Sequence, residues 1–242
     1  MRTLKSLFAV GFVSALFATP LAFSQAATTA KPATTTTAPA TRVTSTTSKD
    51  VAQPGDAAQM LRQDMRKLWT DHVIWTRDYI IAATTKQPDA TAALNRLMQN
   101  QVDIGNAVAK FYGAPAGQQL TTLLKDHIAI AGDIVKAAMA GDKAGQAAAD
   151  THWHQNATQI ADFLSTANPN WPRATLVDMM NTHLSTTSTE LVARLTKDWE
   201  GDVKAFDAVY DHMLHMSDAL ADGIIKQFPN KFGQGVASTT GR

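Results

Sequence analysis

Two stretches of this 242-residue chain decide its fold: LWTDHVIWTRDYIIAATT at residues 68–85 and LLKDHIAIAGDIVKAAMA at residues 123–140. They align without a gap. Leu68, Asp71, His72, Asp78, Ala82 and Ala83 meet Leu123, Asp126, His127, Asp133, Ala137 and Ala138, each 55 residues on. A third histidine, His183, follows His127 by 56 residues. The segments that close later units also agree, since IADFLSTANPN from Ile160 and LADGIIKQFPN from Leu220 share Ala-Asp and a terminal Pro-Asn at a spacing of 60. Self-similarity of this kind points to a duplicated structural unit.

The unit is helical. From Ala57 to Phe228 the chain is rich in Ala, Leu, Met, Gln and Lys and poor in β-branched runs, and its Gly and Pro fall at intervals of about 25 to 30 residues. The pattern predicts helices over 57–85, 89–111, 116–140, 143–167, 172–199 and 201–228. Breakers stand at Gln87-Pro88-Asp89, Gly113-Ala114-Pro115, Gly141-Asp142 and Asn168-Pro169-Asn170, with a softer joint at Glu200-Gly201-Asp202. The expected fold is all-α, a six-helix bundle built from three repeated αα-hairpins that either close on themselves or stack as a short solenoid. The boundaries follow as a domain over 55–232 and a loose tail over 233–242.

Ahead of the bundle, Arg2 and Lys5 precede an apolar run from Leu7 to Leu21, and Ser24 and Ala26 supply small residues for cleavage before Ala27. Residues 1–26 read as a secretory signal peptide, which implies a periplasmic or secreted protein without a transmembrane segment after cleavage. Residues 27–54, largely Ala, Thr, Ser and Pro, cannot bury enough apolar surface to offset chain entropy and read as a disordered tether. The chain holds 22 Lys and Arg against 21 Asp and Glu, and removal of residues 1–26 leaves a net charge of about −1. No basic excess favours nucleic acid. The absence of Cys excludes disulfides, thiolate zinc sites, iron–sulfur clusters and covalent haem.

The histidines lie on the apolar stripes. Leu61, Met65, Leu68, His72, Trp75 and Tyr79 share one helix face, Leu120, Leu123, His127, Ile130 and Ile134 a second, and Leu176, Met180, His183 and Thr187 a third. Antiparallel hairpins then set His72 level with Asp103, His127 with Asn156, and His183 with the run His212-Met213-Leu214-His215-Met216. One reading makes each imidazole a buried peg that fixes register, with a polar partner on the facing helix. The other makes the third hairpin a metal site, with His183, His212, His215 and Met216 as ligands. Imidazole and thioether donors suit copper or another transition metal. A b-type haem between His and Met is the further alternative. The supporting polar layer comprises His72, Arg77, Asp103, Asn106, His127 and Asn156, with Arg77 pairing Asp103 or stacking on Trp75 and Tyr79. Trp69, Trp75, Tyr79, Phe111, Tyr112, Trp153 and Trp171 could line an inter-helix pocket or pack the core. The run LSTTSTE from Leu184 to Glu190 either lines a polar cavity or bonds back to helix carbonyls.

Several chemistries lack their residues. Glu occurs only at Glu190 and Glu200, so no Glu-x-x-His exists for a di-iron carboxylate site, and His-Glu-x-x-His is absent. No P-loop, no GxGxxG and no nucleophile elbow occurs.

The elements LW-x2-H-x2-WTR from Leu68 to Arg77, D-x-GNA with FYG from Asp103 to Gly113, and QFPNKF from Gln227 to Phe232 resemble an all-helical family of uncharacterised bacterial proteins. Members travel under the names glycosyltransferase and acetylglutamate kinase. Those activities call for an α/β nucleotide-sugar fold, often with Asp-x-Asp, or for a phosphate-cradling glycine loop, and this sequence carries neither. The resemblance implies an all-helical core and a shared role for His72, Trp75, Arg77, Asp103 and Asn106. The expected function is that of an exported, non-catalytic bundle binding a metal ion or small ligand. The alternative is an envelope interaction or sensory module whose histidines are structural and whose partner is another protein.

Overall fold

The computed structural model describes residues 55–233; the expected signal peptide, the tether and most of the tail lie outside them. Six α-helices account for nearly all of the described chain: α1 (Asp56–Thr84), α2 (Ala90–Tyr112), α3 (Ala114–Ala140), α4 (Lys143–Ala167), α5 (Arg173–Thr196) and α6 (Trp199–Gln227), followed by a 3-10 turn at Pro229–Phe232. There is no strand among the described residues, and no described helix is long and apolar enough to cross a membrane.

The three hairpins close into a ring. Each helix packs on the next and α6 packs back on α1. An even number of alternating helices lets the last lie antiparallel to the first, and the α1–α6 seam records this. Arg62 pairs with Asp222, Arg66 with Asp218 and Arg77 with Asp202, so α6 descends as α1 ascends. Across the middle α1 also touches α3 and α5, which draws the first helices of the three hairpins together.

Helix boundaries fall close to those expected, with one correction. The last joint lies at Lys197-Asp198, not at Glu200-Gly201-Asp202. Lys197 takes a left-handed conformation with φ 61°, and the Asp198 carboxylate accepts from the Gly201 amide to cap α6. The same device caps α4, where Asp142 accepts from the Gly145 amide, 56 residues earlier. The α2–α3 crossing is set by two glycines. A Cβ on Gly105 would strike the Thr121 hydroxyl and stand 2.6 Å from the Gly117 carbonyl, and one on Gly117 would stand 2.6 Å from the Ala109 Cβ. These two backbones approach too closely for any side chain at either point.

Candidate functional site

At the centre of the ring each hairpin contributes one histidine from its first helix. His72 on α1, His127 on α3 and His183 on α5 are only 2%, 3% and 5% exposed. The His183 ring centre stands 5.7 Å from that of His72 and 5.9 Å from that of His127, whose plane is within 24° of its own. Trp69 meets His72 edge-on at 5.6 Å, and Trp153 meets His127 at 5.2 Å. The three histidines and Trp69 line an internal chamber of about 20 Å³ with Met180, Met213 and Met216, room for a water-sized guest. No carboxylate lines it.

The second helix of each hairpin places a polar side chain at the same point, and in the first two it also reaches the histidine ring. Twenty-nine residues beyond His72, His127 and His183 stand Gln101, Asn156 and His212 on the facing helices. Asn156 donates from Nδ2 to the Leu123 carbonyl at 3.0 Å, and its Oδ1 lies 2.8 Å from His127 Nδ1. In the first hairpin the two tasks are divided. Asn100 donates to the Leu68 carbonyl at 3.0 Å, and the Gln101 amide nitrogen lies 3.3 Å from His72 Nδ1. In the third, His212 donates from Nε2 to the Met179 carbonyl at 2.8 Å. Leu68, Leu123 and Met179 each sit one turn before their histidine, so the polar side chain of the second helix pins the same carbonyl three times over.

The bond in the second hairpin dictates a tautomer. With its amide group spent on Leu123, Asn156 offers only an acceptor to His127, so His127 carries its proton on Nδ1 and leaves Nε2 as a bare lone pair. Gln101 Nε2 donates to the Leu97 carbonyl at 2.8 Å and to Asn100 Oδ1 at 3.2 Å, with His72 Nδ1 beside it at 3.3 Å. His127 Nε2 and His183 Nδ1 are buried with no protein partner. Burial lowers all three histidines: His72 to about 3, His127 to about 4 and His183 well below the ordinary value of 6.5, with neighbouring imidazoles adding to the effect at His72 and His183. The three rings are neutral throughout the physiological range.

The expected ligand set does not meet at one point. Met216 reaches the chamber wall beside His183, whereas His212 is spent on Met179, and His215 is exposed on the outer side of α6. Among the described residues no group of three or more His, Asp or Glu side chains is arranged to hold a metal ion. The polar layer also needs correction. Asn156 and His127 stand as expected, but the partner of His72 is Gln101, not Asp103. Two residues along a helix is about 200° around it, so Asp103 faces outward, where it meets Arg96 at 3.5 Å and shares a surface groove between α1 and α2 with exposed Asn106.

Arg77 belongs to a different centre at the α1–α5–α6 junction, with neither Asp103 nor the Trp75 and Tyr79 rings as its partner. Its guanidinium grips Asp202 with two bonds of 2.9 and 3.0 Å, bonds Glu190 at 2.7 Å, and stacks over Phe206. Arg194 reaches Asp202 at 3.1 Å. Glu190 and Asp202 are 1% and 2% exposed, and burial, outweighing the pull of Arg77, pushes the Glu190 carboxyl up to about 7. Sequence reasoning passed over Glu190, Asp202 and Arg194. Their signal was present, because charged residues at 190, 194 and 202 flank the α5–α6 joint on the apolar side of their helices. Of the Ser/Thr run, Thr186 and Thr189 bond back to helix carbonyls, and Thr187 is buried. Tyr112 and Trp171 pack against each other at the far end of the bundle. Comparison with protein-family models, with curated proteins and with solved structures finds no match for this chain.

Proposed function

We propose that the chain is an exported binding protein whose site is the chamber at the bundle axis, taking a transition-metal ion or a small ligand of comparable size. The observation that carries this reading is the pair of buried ring nitrogens, His127 Nε2 and His183 Nδ1, that face no protein partner. A buried imidazole whose second nitrogen is left bare is costly unless something uses it. The arrangement around His127 is that of a metal-ligating histidine, whose remote N–H is held by a polar group that fixes tautomer and orientation. Thioethers from Met180, Met213 and Met216 complete a soft, neutral wall.

Elemental analysis with a visible absorption spectrum tests this on protein purified from the exported fraction without chelator or affinity His-tag. Stoichiometric copper or another transition metal is the expected result, and a Soret band would assign a haem instead. A metal-free, colourless protein that takes up no added transition metal would overturn the reading. One observation favours the interaction-module alternative. Trp199 and Val203, one turn apart on α6, are 52% and 53% exposed, and Trp199 is held upright by Arg194 over its ring. Under that reading the three histidines only fix register.

A further inference from the structure

We propose that the outer α1–α6 seam is a docking surface for a basic amphipathic helix of a partner protein, independent of what the chamber holds. The helix seats its apolar face on an aromatic stripe and sets Lys or Arg side chains against the carboxylates that border it.

The stripe follows from spacing. Trp199, Val203, Phe206 and Tyr210 recur at intervals of four, three and four residues, so they share one side of α6. Contacts with α1 fix where that side lies. The Phe206 and Tyr210 ring centres are 6.1 Å apart, the Arg77 guanidinium lies over Phe206, and the Tyr210 hydroxyl is 3.5 Å from that of Thr70. Ile74, one turn from both Thr70 and Arg77, continues the patch on α1 and is 46% exposed. Trp199 and Val203 stand about half in solvent, and Phe206 and Tyr210 are half-buried. Exposed aromatic and branched side chains gathered on one seam have the make-up of an interface core. Arg194 over the Trp199 ring orders that side chain before any partner arrives.

Charge selects the partner. Along the border stand Glu200, Asp207 and Asp211 of α6 and Asp78 of α1, all exposed, and among the described residues of that border only Lys204 is cationic. The four carboxylates enter no hydrogen bond or ion pair with another described side chain. By contrast, the acids that close the ring beneath them, Asp202, Asp218 and Asp222, are each matched to an arginine. Four carboxylates against one ammonium leave the border with a net charge of −3. A second copy docked through the same surface would set two such borders against each other, and a nucleic acid or an anionic bilayer would meet the same repulsion. Lysine and arginine complement it.

Shape selects a helix. Trp199 and Tyr210 are eleven residues apart, about 17 Å or three turns along α6. A straight stripe of that length beside two antiparallel helices suits a third laid alongside, with apolar anchors at i, i+3, i+4 and i+7.

The probe is a fluorescein-labelled synthetic helix of leucine and lysine, about 18 residues long with its leucines on one face, titrated into the full protein and read by anisotropy. It is expected to bind at one per chain, and more weakly as salt rises. Trp199→Ser should weaken it more than about tenfold, and Asp207→Lys combined with Asp211→Lys by a similar factor. Met60→Ser and Asp178→Lys, at an exposed apolar and an exposed acidic position away from the stripe, should leave it unchanged. All of these positions lie at the surface, and circular dichroism establishes that each variant is folded. The unaltered protein gives a second readout. Trp69, Trp153 and Trp171 are buried and Trp75 is half-buried, so acrylamide quenching reports chiefly on Trp199, which the bound peptide should shield. No binding, unchanged quenching, or equal binding of a scrambled peptide or of one with glutamate in place of lysine would overturn the inference. A dimer dispersed by Trp199→Ser, or binding to phosphatidylglycerol vesicles lost in that variant, would overturn it by giving the seam a different occupant.

Discussion

Acid should weaken this fold steeply between pH 7 and 5, and the three central histidines are the reason. In the unfolded chain each takes up a proton below its ordinary value of 6.5, whereas in the bundle burial holds His72 at about 3, His127 at about 4 and His183 well below 6.5. The stability these groups contribute is therefore present above pH 6.5 and lost as pH falls. Each costs about 1.4 kcal/mol per pH unit below 6.5, which is about 2 kcal/mol per histidine and about 6 kcal/mol in all at pH 5. Glu190 works the other way. Its folded value of about 7 lies above the ordinary 4.5, so its contribution is largest at low pH and lost as pH rises through 7, returning about 2 kcal/mol on acidification to pH 5. The net loss is about 4 kcal/mol, a large share of the 5–15 kcal/mol typical of a folded domain. In urea unfolding, with a slope of about 2 kcal/mol per molar, the midpoint should fall by about 2 M between pH 7 and 5. His127→Phe should halve that fall by removing one of the three protons. A midpoint that holds steady or rises on acidification, or a His127→Phe protein with an undiminished fall, would refute the reasoning.

Other outcomes follow from particular contacts. Arg77→Met leaves Glu190 and Asp202 buried without their main cation and should cost about 3–5 kcal/mol of stability by chemical denaturation. Adding Glu190→Gln to that background should recover part of the loss, and a double variant no more stable than Arg77→Met would contradict the buried-charge account. Gly117→Ala drives a methyl into Ala109 and the Gly105 carbonyl, so thermal unfolding should report a loss of about 1–3 kcal/mol. Asn156→Leu strands the Leu123 carbonyl and the His127 Nδ1 proton together and should cost about 2–4 kcal/mol, with accelerated hydrogen exchange along α3 and α4 as its signature.

Much of this was legible because it is local. The 55-residue repeat, the breakers and the apolar stripes announce three hairpins, and the His72, His127 and His183 positions on those stripes place all three inside. What misled was level without rotation. Asp103 lies at the height of His72, yet the residue that turns toward it is Gln101, because two residues carry a side chain about 200° around the helix. His215 fails for the same reason, since it is one residue and about 100° away from the inward-facing Met216. The Asp198 cap could have been read from its match to Asp142, and it was hidden only by Lys197, a residue seldom found in the left-handed conformation.

By itself the sequence determined helix number, hairpin pairing and the inward side of each helix, since all of these follow from periodicity and from breakers acting over a few residues. Whether the hairpins stack or close was decided only by tertiary structure. Closure depends on the α6 face meeting α1, through Arg62, Arg66 and Arg77 against Asp222, Asp218 and Asp202, pairs separated by more than a hundred residues. The same closure turned three separate buried histidines into one cluster. No single hairpin contains two of them, so the chamber, its neutral rings and its two unclaimed nitrogens exist only once the ring is shut.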